Sequence, residues 1–188
     1  MASTTPAAPK ERLITADEFL RMPDTDHCEL VAGRIVRMTP PPDFEHGEVE
    51  LNVAVELRAF VRAHQLGRVA VGEVSIYTGR DPDHIRGADV AFISNERDAR
   101  RKERGPLEVG PDLVVEILSP SNSMSAMLRK LREYFAIGVR LVWLVDPENR
   151  SVLAYRSMTD VRQFGVEDHI PGDDVLPGFS VPVARFFE

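Results

Sequence analysis

Apolar residues recur along this chain at two different periods, and the periods mark out its elements. Val49, Val53, Leu57, Phe60 and Val61 follow one another at three and four residue steps, the spacing of a single helix face. Asp43 is the candidate N-cap, and the helix is predicted to run to about Gln65 and to end at Gly67. A second helix is predicted from near Ser123, with Met124, Met127, Leu128, Leu131 and Phe135 as its buried stripe and Gly138 as its C-cap. Other stretches read as strands. RVAVGEVSIYT and ADVAFI are two, separated by the turn-rich GRDPDHIRG, and DLVVEI from Asp112 is a third. RLVWLVD and SVLAYRS make a pair around the turn Pro147–Glu148–Asn149–Arg150.

The ends are read in the same way. Thr15 with Glu18 three residues on forms a capping box, which opens a short helix ending near Pro23. A hairpin from about His27 to Met38 turns at Ala32–Gly33, and the prolines at 40 to 42 stop it. The last segment holds short strand-like pieces around Leu176, Phe179 and Val181. The polar stretch SNERDARRKERGPLEVG is longer than most connections inside a compact domain, which makes it functional or mobile. The predicted order is an N-terminal hairpin, then helix, three strands, helix, strand, strand: an α/β fold.

Composition narrows the class. At 188 residues the chain is read as a loose N-terminal tail over 1–12 and one domain over 13–188, with 43% hydrophobic and 28% charged residues, the balance of ordinary globular proteins. No apolar run reaches the ~20 residues of a membrane span, and MASTTPAAPK lacks the apolar stretch of a signal peptide. Cys28 is the only cysteine, which excludes an internal disulfide and suits a cytoplasmic location. The formal charge of −7 argues against a surface that grips nucleic acid everywhere, though not against a local basic strip.

Glu116 is the residue that departs from the pattern. It follows Leu113, Val114 and Val115 in a run that reads as a buried strand, and a buried carboxylate must be paired, hydrogen-bonded or metal-bound. Asp112 opens the same run and is read as a strand-entry residue binding backbone amides. Asp89 lies on the preceding strand, so the two carboxylates, Asp89 and Glu116, can project together and share a cation. An all-oxygen ligand set favours magnesium or manganese. Glu73, on the first core strand, is a further carboxylate without an assigned role.

The stretches CELVAGRI, ADVAFI, PDLVVEILSPSNS and KLREYFAIGVRLVWLVDP, with LPGFSVPV near the end, resemble the Uma family of endonucleases in the PD-(D/E)XK restriction-endonuclease-like superfamily, from about Thr15 onward. The resemblance implies a restriction-endonuclease-like core and metal-dependent hydrolysis of DNA phosphodiesters. It gives Asp89 and Glu116 the acidic roles, with the Ile117 carbonyl as a further ligand. The superfamily lysine two residues after the glutamate is replaced here by Leu118. The family pattern implies a lysine moved to the following helix, matching Lys130, whose stem can lie over apolar surface while its ammonium reaches inward. Glu29 and His46 match further positions of the pattern. Arg97, Arg100, Arg101, Lys102 and Arg104 form the one dense basic run, a solvated loop or a contact to a DNA backbone. DNA is the expected partner, and a homodimer would cut both strands most simply. The competing reading, carried by Leu118 and the net charge, is a catalytically silent nuclease-like domain that binds nucleic acid or protein.

Overall fold

The computed structural model describes residues 12–37, 43–120 and 123–188. Its elements follow the two periods closely. Helix α1 (Ala16–Phe19) has both halves of the Thr15–Glu18 capping box and ends four residues before Pro23. Strands β1 (Cys28–Val31) and β2 (Arg34–Arg37) pair antiparallel around Ala32 and Gly33, both at positive φ as a tight hairpin turn requires. Helix α2 (Phe44–Ala63) is capped by the Asp43 side chain, which accepts from the His46 N–H. The predicted tail lies outside the described residues except for Arg12, which pairs with Glu18. Met38, the prolines at 40 to 42, Ser121 and Asn122 lie outside them too.

The hairpin of β3 (Gly67–Gly79) and β4 (His84–Ser94) is longer than the sequence suggested. Gly67 opens β3 after the helix, and half of the turn-rich GRDPDHIRG joins β4, leaving a turn over 80–83. Ile85 and Arg86 are buried there because β4 has a partner on both sides. The polar connection after β4 holds the one-turn helix α3 (Asn95–Asp98) and then returns along β3, where Leu107 bridges Ile76.

Strands β5 (Leu113–Ile117) and β6 (Leu141–Asp146) run parallel, joined by helix α4 (Met124–Ala136). Their apolar runs, interrupted in β5 by Glu116, fit strands covered on both faces. Leu113, Val115, Ile117, Trp143 and Val145 pack with α2, while Val114, Val142 and Leu144 pack with α4. Burial of each such side chain stabilises the fold by about 1.5–3 kcal/mol. The stripe of α4 is shifted from the predicted one: Met127, Leu131 and Tyr134 are buried, Phe135 is partly so, and Met124 is exposed. Strands β7 (Ser151–Tyr155) and β8 (Val161–Gly165) complete an eight-stranded sheet ordered β2-β1-β4-β5-β6-β7-β8, with β3 on the other edge of β4. A small pair, β9 (His169–Pro171) and β10 (Ser180–Pro182), and a closing 3-10 turn (Val183–Phe187) cover the α2 face. No helix among the described residues is long and apolar enough to cross a membrane.

Candidate active site

Two strands, β1 and β5, follow each other along the same edge of β4. Leu30 pairs Ile85, and Val90 pairs Val115, both antiparallel. Arg86 to Asp89 therefore span the seam where β5 ends and β1 begins. Glu29 enters this seam from β1, Asp89 from β4 and Glu116 from β5. Strand alternation puts Glu116 on the face of Val114, which is the face that α4 covers.

Helix α4 answers Glu116 with two side chains one turn apart. Lys130 Nζ lies 2.7 Å from Glu116 Oε2 and 3.2 Å from Glu29 Oε1. Tyr134 donates its hydroxyl to Glu116 Oε1 at 2.6 Å. Burial pushes the Glu116 carboxyl up to about 8, with the Asp89 charge adding to it and Lys130 and Tyr134 working against it. Burial works to lower Lys130, but Glu116 and Glu29 outweigh it, so the ammonium stays charged. On the other side of Glu29, Arg86 donates to its Oε2 at 2.7 Å and grips Glu133 through two bonds of 2.7 and 2.6 Å. Burial opposes the ionisation of Glu29, yet Lys130 and Arg86 hold its carboxyl below the ordinary value.

Asp89 turns toward α2. Its Oδ2 accepts the Ile117 N–H at 2.6 Å, and its Oδ1 lies 3.4 Å from His46 Nε2. That distance makes an ion contact rather than a formed hydrogen bond, and both buried ring nitrogens of His46 lack a hydrogen-bond partner among the described residues. Asp89, with Glu50 and Glu73, raises the His46 pKa against burial. His46 also lines a cleft of about 510 Å³ bounded by Leu118, Ser119, Met127, Asp146 and Glu148, a size that suits a small ligand or one nucleotide unit.

The expected residues Glu29, His46, Asp89, Glu116 and Lys130 thus stand in one continuous set of contacts. The basic run does not join them. It leaves β4 at Ser94, and its Arg97 bonds the Gly110 and Pro111 carbonyls and sits 3.2 Å from Asp112, four residues before Glu116 and roughly 13 Å from it along the strand. Arg101 is held by Asp98 and Lys102 by Glu108, while Arg100 pairs loosely with Glu96 at 3.8 Å and Arg104 is exposed. Asp112 accepts the Ser94 N–H at 2.7 Å, the backbone role expected of it.

Glu73, the further carboxylate of the first core strand, joins the site, and so does Glu50, which the sequence did not single out. On β3, Gly72 and Glu73 at positive φ form a bulge opposite Asp89, between the pairs Val71 with Val90 and Val74 with Ala88. The bulge lays Glu73 over Gly87, where an added Cβ would fall 2.2 Å from Glu73 Oε2. Glu50 accepts the Gly72 N–H at 2.8 Å. Burial, followed by the Asp89 charge, raises Glu73, and burial raises Glu50 despite that bond. The spacing of Glu50 from His46, four residues on one helix, was the available signal; nothing in the sequence marks the bulge beyond Gly72.

No group of three or more His, Cys, Asp or Glu side chains among the described residues forms a ready metal cage. The donor chemistry nevertheless fits a hard divalent cation. Asp89 and Glu116 repel each other and Glu116 is driven toward protonation, and a cation between these oxygen donors would relieve both effects.

Comparison with known proteins bears on these residues. No curated protein matches the chain. A solved structure from Anabaena variabilis, described as a "putative nuclease belonging to DUF820", superposes with a TM-score of 0.78 at 24% identity, over 93% of this chain and 97% of its own. It shows that the fold, a mixed α/β sheet of restriction-endonuclease-like type, is shared. The family model Uma2, described as "Putative restriction endonuclease", matches residues 16–184, and with every expected site residue inside that span the chain belongs to the Uma2 family.

Proposed function

We propose that the protein is a magnesium- or manganese-dependent endonuclease that hydrolyses DNA phosphodiester bonds. The observation that carries this reading is the 2.7 Å contact of Lys130 Nζ with Glu116 Oε2. Leu118 leaves the strand without the expected lysine, and α4 returns an ammonium to the same carboxylate from fourteen residues along the chain.

Asp89 and Glu116, with the Ile117 carbonyl, would hold the cation. When bound, it polarises the phosphoryl group and acidifies a water. The chain's own residues supply the rest. An ammonium has three donors; Lys130 gives one to Glu116 and stands 3.2 Å from Glu29 as an ion pair, and a remaining N–H is left to orient the attacking water or to neutralise charge developing on phosphorus. Tyr134 and Arg86 fix the carboxylates that aim it. His46, between Asp89 and the cleft, presents a positively polarised ring edge to a phosphate oxygen. Buried carboxylates and charged partners held this tightly cost little reorganisation during reaction.

A second reading, a nuclease-like domain that binds without cutting, draws on the acidic cleft, whose lining includes Asp43, Glu45, Asp146 and Glu148. A cleavage assay separates the two. Plasmid and single-stranded DNA are incubated with magnesium, manganese or EDTA, using wild type, Asp89→Ala, Glu116→Ala and Lys130→Met. Loss of a metal ligand is expected to cost at least ~10–100-fold in rate. Lys130→Met is expected to keep metal binding, measured by calorimetry, while losing rate, and adding Leu118→Lys to it should recover part of that rate. Activity that survives EDTA, or both carboxylate substitutions, rules the mechanism out.

A further inference from the structure

Helix α2 carries an outward stripe that no other part of the described chain covers. Phe44, Leu51 and Val55 are 86%, 61% and 54% exposed, although apolar side chains of this size normally turn inward on a helix that has a core face. Glu48, Arg58 and Arg62 continue the same line. The full series, 44, 48, 51, 55, 58 and 62, is spaced by four and three residues in alternation, the seam of a paired helix.

Its charges are sorted rather than interleaved. Glu48 lies toward the N-terminal end, Arg58 and Arg62 toward the C-terminal end, and none of the three has an ion-pair partner among the described residues. Other charges of α2 do have partners: Glu50 bonds Gly72 and Glu56 bonds Arg185. The helix dipole favours acid before base, but it gives no reason for an apolar pair between them.

We infer that this stripe is the interface with a second copy of the chain. Two α2 helices laid antiparallel about a two-fold axis at the level of Val53 match each position with its complement. Leu51 meets the partner's Val55, Glu48 meets the partner's Arg58, and the Phe44 ring meets the partner's Arg62 guanidinium as a cation–π pair. The match is isologous, so each contact occurs twice. The inference is independent of the nuclease reading. Its consequence for the site is a fixed spacing, since His46 stands seven residues from the axis on the same helix, which separates the two copies of His46 by about 21 Å along the helix direction.

The test is the solution mass at tens of micromolar protein, by sedimentation equilibrium and light scattering. The wild type is expected at twice the 21.0 kDa chain mass, and Leu51→Glu at the monomer mass. Glu48→Arg and Arg58→Glu should each weaken the dimer at least tenfold by opposing like charges. The double variant Glu48→Arg/Arg58→Glu should restore it, because each reversed charge again faces its opposite. All these positions are exposed, and circular dichroism is expected to show an unchanged fold. A monomeric wild type would overturn the inference, as would a dimer indifferent to Leu51→Glu, or single and double charge variants that lose the dimer alike.

Discussion

Glu116 sits between opposing influences. It is buried, it faces Asp89, and it is held by Lys130 and Tyr134. Its position between these influences has a measurable consequence. The folded carboxyl titrates near 8 against an ordinary value of 4.5, so between these values the folded chain keeps a proton that the unfolded chain has released. Stability from this group is therefore present at low pH and is lost as pH rises through that window. In EDTA, the melting temperature of wild type is expected to fall more steeply over this range than that of Glu116→Gln, whose amide cannot ionise. Parallel profiles would show that Glu116 is not the titrating group. Addition of magnesium is expected to flatten the wild-type profile, because a bound cation favours the ionised form.

The bulge on β3 shows how an element serves the site at a cost to itself. Glu73 has φ of 57°, a left-handed conformation that costs a side-chain-bearing residue about 1–2 kcal/mol. Its carboxyl is also half-buried beside like charges. Glycine would relieve both penalties. Glu73→Gly is thus expected to melt no lower than wild type while cleaving DNA more slowly, a separation of stability from activity checked by calorimetry alongside the cleavage rate. A variant that loses stability would assign Glu73 to the fold instead. Helix α4 illustrates the opposite case, in which one element serves both ends: Met127 and Leu131 anchor it to β5 and β6 while Lys130 and Tyr134, from the same turns, reach Glu116.

At the scale of the whole molecule, the charge of −7 means that the proposed DNA binding would rest on local features. Arg97 and Arg101 are committed within their loop, which leaves Arg100 and Arg104 free enough to follow a phosphate backbone. Replacing both by alanine is expected to leave the melting temperature unchanged. The same change should lower the salt dependence of DNA binding by about 0.9 in the log–log slope for each phosphate that is no longer neutralised. Arg97→Ala, in contrast, is expected to lower stability, because it strips two carbonyls and the buried Asp112 of a charged partner. An unchanged slope after the double substitution would remove this loop from the DNA path.

Element types and most boundaries were legible in the sequence because they follow from local spacing: the three and four residue period of α2, the capping box at Thr15, the largely apolar runs of β5 and β6. Glu116 was legible as well, since a carboxylate within such a run is tolerated only beside a charged partner, a hydrogen-bond donor or a cation. What the spacing could not carry was long-range register. That β1 and β5 meet end to end along β4, that two residues of β3 oppose one at Asp89, and that Arg86 bridges Glu29 to Glu133 are consequences of strand pairing between segments far apart in the chain. The sequence by itself determined which residues had to be buried and that Glu116 needed a partner. Only the tertiary structure decided that the partner is Lys130, because the contact depends on α4 packing across β5, and the free energy of that packing comes from apolar side chains rather than from the pair itself.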